Sequence, residues 1–341
     1  MQFDAALLSY NLAELPALTR SAEATGFDGL WLAETTNDPF LGLTLVAEHS
    51  RTLTVGSGIA VAFPRSPGTL AYIGWNLAKF ARGRLVIGLG TQVRAHNELR
   101  FGVKWEKPVR KMRETILAMR AFWDAWQNDK PLRFHGEFFR LGLMTPFFNP
   151  GPHEYPNIPI YIAAVNEQML RLAGEICDGV VVHSYNTPRY LREYALPHIE
   201  SGLAKTGRSR SDLTLISSLF VIPTDDPAAR ARIEADVRQQ IAFYMSTPSY
   251  RSISTLHGWD EIAAQLSKLA RSGEWTQMAH LITDDILDEM ALTGTWAELP
   301  GKIQARYGGL LDRVSYYLPY RPGQDDVGWR ATVDGFKALR T

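Results

Sequence analysis

From near its first residue almost to its last, the chain alternates short apolar runs with longer amphipathic ones, and this repeat limits its fold more than anything else. Eight runs read as strands: 3–8, 29–33, 53–61, 85–89, 158–164, 179–183, 213–222 and 314–318. Most are continuously apolar, as expected of strands buried on both faces in a parallel sheet. The intervening stretches 12–25, 41–49, 70–81, 110–126, 169–177 and 190–205 carry helical periodicity. Glycine recurs where helix gives way to strand, at Gly26, Gly83, Gly179 and Gly308-Gly309, positions predicted to take the positive φ of a helix C-cap. Eight βα units with right-handed crossovers predict an α/β fold, a (β/α)8 TIM barrel, with a doubly wound open sheet as the competing arrangement.

At 341 residues the chain could hold two average domains, but one barrel over 1–341 absorbs the length if two segments are insertions. The first, about 127–157, follows the fourth strand and its helix and is rich in Pro, Gly and aromatic residues. Such a long aromatic loop predicts an ordered lid or wall. The second, about 247–306, follows the seventh strand and is helical, predicted to pack on the barrel.

Composition narrows the partners. Lys and Arg total 36, balanced by 36 Asp and Glu, so no broad field attracts nucleic acid or an anionic membrane, and recognition is expected in a small pocket. The single cysteine, Cys177, rules out an internal disulfide and suits a buried apolar position in a reducing cytosol. No apolar run reaches the length of a membrane span and no basic leader opens the chain, which predicts a cytoplasmic protein.

In a (β/α)8 barrel the site is built at the C-terminal strand ends. Small residues dominate three of them, Gly56-Ser57-Gly58, Gly88-Leu89-Gly90 and Ala163-Ala164, leaving room for a flat group against the backbone or simply letting the barrel pack. The fifth end, Ala163-Ala164-Val165-Asn166, runs into a helix with Asn166 as candidate N-cap, an arrangement suited to phosphate. No metal site is expected: His49, His96, His135, His153, His183, His198, His257 and His280 show no metal-binding spacing, and no nucleophile elbow occurs. His183, alone at a strand end, is the candidate acid or base, or a residue stacking on a ligand.

Several stretches in order resemble the luciferase-like (β/α)8 flavin and deazaflavin oxidoreductases: 26–34, 55–61 with 64–67, 83–90, 134–140, and 159–164 leading to 177–179. Segments 89–96 and 143–150 resemble the branch that uses coenzyme F420, a deazaflavin, in place of FMN. The resemblance implies a non-prolyl cis peptide between Gly58 and Ile59 supporting the ring. It also implies that Glu34 stands near the ring, that Gly90, Thr91 and Gln92 bond the ring or its chain, and that Ala163, Ala164, Val165 and Asn166 hold phosphate. Thr35 occupies the position where many deazaflavin members carry His, so no proton donor is carried over there.

The implied activity is hydride transfer between coenzyme F420 and a small organic substrate, with Glu34 and His183 as catalytic candidates. Trp31, Trp105, Phe138, Phe139, Phe147 and Phe148 are expected to contact the substrate if 127–157 closes over the mouth. The alternatives are an FMN-dependent monooxygenase and a non-catalytic flavin-binding protein; sugar hydrolysis by Glu34 and Asp38 is disfavoured. A homodimer is expected from the resemblance.

Overall fold

The structure, a computed structural model, describes residues 1–340. Eight strands form its centre: β1 (Gln2–Leu7), β2 (Gly29–Leu32), β3 (Thr54–Ser57), β4 (Leu85–Gly90), β5 (Ile160–Ala163), β6 (Gly179–Val182), β7 (Thr214–Pro223) and β8 (Arg313–Tyr316). Each pairs in parallel with the next, and β8 pairs with β1, so the sheet closes. The closed ring settles the choice in favour of the barrel over an open sheet, which would leave two edges unpaired.

Seven helices bear on the site and its supports: α1 (Leu15–Thr25), α2 (Pro39–His49), α3 (Pro67–Phe80), α4 (Pro108–Asn128), α5 (Glu167–Ile176), α6 (Leu196–Ala204) and α7 (Pro227–Met245). Pro stands in the first turn of α2, α3, α4 and α7, where its missing N–H costs nothing. Alternation along each strand splits the apolar residues into two cores. Leu30, Val55, Ile87 and Ile162 face the helices, whereas Trp31, Val86, Tyr161 and Ile216 fill the inside of the ring. Cys177 is buried and unpaired, and burial pushes its thiol up to about 12.

Positive φ holds at Gly26, the C-cap of α1, and at Gly83 and Gly309 just past their helix ends, whereas Gly308, the cap of the helix Leu299–Tyr307, sits at φ −56° and does not take it. Gly179 is a correction. It is the first residue of β6, and a Cβ there would lie 2.5 Å from the Tyr161 ring and 2.7 Å from the Thr214 carbonyl. Close packing inside the ring, not a left-handed turn, requires glycine at that position.

The segment around 127–157 also differs from expectation. α4 descends from the mouth, so the chain beyond it starts at the opposite end of the barrel and climbs back along the outside of α3 and α4. Glu114 of α4 accepts from the backbone N–H groups of Glu137 and Phe138, both at 2.8 Å. Tyr72 of α3 donates to the Phe148 carbonyl at 2.5 Å, and Trp75 to that of Gly151 at 3.1 Å. The segment is a strap over two helices. Phe147 and Phe148 are exposed on it, and Phe138 and Phe139 lie beside Glu114, so these four aromatics do not form a roof over the mouth.

The late insertion takes that place in part. β7 outgrows the ring, and its last residues pair with a short strand, Ala291–Gly294, that the apolar pattern did not mark. α7 and the residues after it then return across the ends of β6 and β8, bringing Tyr244 and Tyr250 against His183.

Deep inside the ring Arg313 donates to Asp4 through Nε at 2.8 Å and Nη2 at 2.6 Å, and Trp31 Nε1 donates to the same carboxylate at 2.9 Å. Gly29 makes room: a Cβ there would be 2.8 Å from both Arg313 Nη2 and Asp4 Oδ1. Removing one partner leaves a buried charge uncompensated, so Asp4→Leu is expected to lower stability by about 3–5 kcal/mol in urea unfolding. Adding Arg313→Met should restore most of the loss; a double variant no better than the single would show that the charge is not the cause.

Candidate active site

The mouth is framed by the last inward-facing residue of each strand. Around the ring these include Ala33, Gly58, Gly90, Ala163, His183 and Tyr317, from β2, β3, β4, β5, β6 and β8 respectively. One cavity beneath the rim is lined by Ala6, Trp31, Ala33 and Gly58 on one side and by Val181, Ser217, Ser218 and Ser315 on the other.

The third strand does not run unbroken over 53–61 as its apolarity suggests. It stops at Ser57, turns through a cis peptide between Gly58 and Ile59, and resumes at Ala60–Val61 beside β4. The small residues around this bulge serve different ends. At Gly56 a Cβ would strike the Trp31 ring at 2.3 Å, at Gly88 the Ser57 carbonyl at 2.0 Å, and at Gly90 the Ile59 side chain at 2.5 Å. These three glycines admit other protein atoms. Gly58 alone among them is uncovered, the nearest atom to its virtual Cβ being Trp31 Cβ at 3.5 Å. The flat surface expected from the sequence is therefore narrower, formed by Gly58 and Ile59 with Ala33 and Ala163 beside them.

Glu34 secures this surface. Its N–H donates to the Ile59 carbonyl at 3.0 Å, and its carboxylate accepts from Val61 N–H at 2.7 Å. Arg65 grips the same carboxylate with Nη1 at 2.8 Å and Nη2 at 3.1 Å, and binds Asp38 at 2.6 Å. The Glu34 side chain is only 6% exposed. Both Glu34 oxygens thus accept N–H donors, and the carboxylate ties Val61 and Arg65 to the bulge. Sequence reasoning placed Arg65 at a strand end but missed this function; a carboxylate and an arginine flanking a glycine-rich turn were the available signal.

The Thr35 hydroxyl donates to the Leu8 carbonyl, and its own carbonyl accepts from Arg100 at 2.8 Å. In the β4 loop, Gln92 sits at φ 58° with its side chain folded onto Val93 N–H at 3.0 Å, and Thr91 Oγ1 donates to the Gln92 carbonyl at 3.1 Å. Asn97, buried and not foreseen, fixes this loop by donating to the Thr91 and Val93 carbonyls at 2.8 and 3.1 Å. Trp105 packs edge-on to Phe63 beside it, ring centroids 6.0 Å apart.

At the fifth end Ala163 faces inward, while Ala164 is buried in the outer core and lends the mouth only its backbone. Asn166 precedes α5 as expected but its side chain makes no cap. It instead donates to the Ser249 carbonyl at 3.0 Å and accepts from Ser252 Oγ at 3.2 Å, tying this loop to the late insertion. Val165 is held through its carbonyl by the Tyr190 hydroxyl, 2.5 Å away.

His183 stands across the mouth. Its Nδ1 accepts from Tyr185 N–H at 3.0 Å, which places the proton of the neutral ring on Nε2. Burial holds its pKa down at about 4. Trp31, by contrast, lies below the mouth, its indole committed to Asp4. Among the described residues no group of three or more His, Cys, Asp or Glu is placed to hold a metal ion, and no helix is long and apolar enough to cross a membrane.

Comparisons with known proteins agree with this architecture. A family model described as luciferase-like monooxygenase matches residues 1–313. An uncharacterized protein of Mycobacterium tuberculosis (strain ATCC 25618 / H37Rv) is 44% identical over 292 residues, covering 86% of each chain. The 5,10-methylenetetrahydromethanopterin reductase of Archaeoglobus fulgidus is 31% identical over 291 residues, covering 83% of this chain and 82% of the relative. Among solved structures, the coenzyme F420-dependent tetrahydromethanopterin reductase of Methanopyrus kandleri superimposes with a TM-score of 0.81 at 21% identity, covering 100% of this chain and 99% of that one.

Because the pKa of His183 lies below the 6.5 of a free imidazole, the unfolded chain takes up this proton before the native state does. Its stabilising contribution is complete above about pH 6.5 and declines as pH falls toward 4. Stability measured by denaturant titration should therefore drop across that window, and His183→Phe should flatten the slope. An NMR titration midpoint near 6.5 for this ring would contradict the assignment.

Proposed function

The chain belongs to the luciferase-like monooxygenase family, and we propose that within it this protein is a deazaflavin-dependent oxidoreductase acting on a small organic substrate. The observation that carries the reading is the surface at Gly58 and Ile59, uncovered on the mouth side and braced from behind by Glu34 and Arg65. Such a surface offers backbone and a methyl-bearing side chain to a planar group and no charge to repel it. Gly58, Ile59 and Ala33 would lie beneath the ring, Gly90, Thr91 and Gln92 along one edge, and the backbone of Ala163 to Asn166 beside the phosphate. Thr35 contributes through its backbone, since its hydroxyl is already engaged.

When bound, a deazaflavin supplies two-electron hydride chemistry and reacts poorly with oxygen. The protein's own part is to orient, to exclude water and to present His183 as a neutral Nε2–H donor facing the site. Glu34 and Asp38 both bind Arg65, which removes the pair of free carboxylates that sugar hydrolysis requires. The name of the Archaeoglobus relative supports reductase chemistry, whereas the family description, a monooxygenase, supports the second reading, an FMN-dependent enzyme.

Fluorescence titration with reduced and oxidised coenzyme F420 and with FMN decides between them, together with the visible spectrum and released-ligand mass of protein from a host that makes both. Preference for the deazaflavin is expected; tight FMN binding without deazaflavin binding would overturn the proposal. Gly58→Val should abolish binding of either cofactor while leaving the circular dichroism spectrum unchanged, because a Cβ there meets only an ordinary contact, Trp31 Cβ at 3.5 Å. Arg65→Lys, which retains charge but loses the two-pronged grip on Glu34, should weaken cofactor binding about tenfold.

A further inference from the structure

β3 and β7 lie opposite one another in the ring, so the ends of β6 and β8, which flank β7, form a wall facing the Gly58 surface. The hydrogen bonds of this wall do not close among themselves. His183 receives Tyr185 N–H on Nδ1, and among the described residues its Nε2–H meets no acceptor. Tyr244 and Tyr317 bond each other through their hydroxyls at 2.6 Å. Of two hydroxyl hydrogens only one is used in such a pair, and among the described residues no other group takes the second. Ser218 and Ser315, in the cavity beneath the rim, repeat the arrangement at 2.6 Å.

The wall is also rigid, aromatic and uncharged. The Tyr244 and Tyr250 rings each lie 4.4 Å from His183, and Tyr317 packs 4.9 Å from Phe220. Burial lowers the pKa of His183 and raises those of Tyr244, Tyr250 and Tyr317, so every member is neutral at physiological pH. A charged ligand set against it would lose hydration without gaining a counter-charge.

We propose that His183 and the Tyr244–Tyr317 hydroxyl pair are specificity-determining residues for a flat, uncharged organic substrate bearing hydrogen-bond acceptors. The proposal rests on the cofactor reading only in assigning the opposite, Gly58 side to the ring. The acceptor, such as a carbonyl oxygen or ring nitrogen, takes the Nε2–H and the unused O–H, while the aromatic rings cover the substrate's face.

The test is saturation-transfer NMR on the full chain, with and without coenzyme F420, using acetophenone, ethylbenzene and benzoate as probes of matched size. Acetophenone should bind about thirtyfold tighter than ethylbenzene, the effect of two neutral hydrogen bonds, and benzoate weakest. In Tyr244→Phe/Tyr317→Phe the acetophenone advantage should shrink to about fivefold, the His183 donor remaining, with ethylbenzene binding unchanged. Equal binding of acetophenone and ethylbenzene to the wild type, or tighter binding of benzoate, overturns the proposal even if the double variant fails to fold. An unchanged ratio in a folded double variant does so too. Failure of coenzyme F420 to bind, with the probe ranking intact, would instead remove the cofactor reading and leave the wall standing.

Discussion

Closure of the eight-stranded ring constrains every other feature of the molecule. Once β8 hydrogen-bonds to β1, no edge is left and each strand has one face toward the helices and one toward the interior. Phe3, Ala5 and Leu7 turn outward into the large core, and Asp4 and Ala6 turn inward. A single-residue slip in any strand would exchange the two sets, burying Asp4 among helices and emptying the ring. Register and site are therefore one decision: the residues that reach the mouth are those whose parity points inward at the strand ends.

Within the ring, polarity is arranged in tiers. Arg313 and Asp4 neutralise one another below, with Trp31 donating to the carboxylate and stacking 6.0 Å from Tyr161 above. Higher up, charge disappears from the interior and hydroxyls take over, at Ser218, Ser315 and Tyr317. At the rim the Glu34–Arg65–Asp38 cluster braces the bulge, its charges paired with one another. The result is a mouth whose two walls are both neutral, one small and backbone-lined, the other aromatic and rich in donors. A ligand held between such walls would be selected by shape and hydrogen bonding more than by charge.

Much of this was legible in the chain. Continuous apolar runs such as 85–89 and 158–164 marked buried parallel strands, and the repeated strand-to-helix rhythm pointed to the barrel. The resemblance-based expectation of a cis peptide between Gly58 and Ile59 matches the structure. Less legible was what each glycine does. Gly56, Gly88 and Gly90 look alike in sequence, yet three different groups approach them, from β2, from β3 and from the bulge. Nor could composition reveal that the aromatic segment 127–157 binds the outside of α3 and α4. That depended on which end of the barrel α4 leaves the chain, and on Glu114, Tyr72 and Trp75 meeting its backbone there.

Element types, their parallel order and the inward parity of the mouth residues were set along the chain alone, because they rest on periodicity and local backbone chemistry. Which of those residues are free was settled by the folded arrangement. Glu34 and Thr35 sit where an acid and its neighbour were expected, but bonds to residues 31 and 27 positions away engage their side chains. Tyr244 and Tyr317, 73 positions apart, become one hydroxyl pair across the rim. Spacing along the chain carries no trace of such partners, since contacts between strand ends and a late helix are set by how the ring closes and by what α7 lays across it.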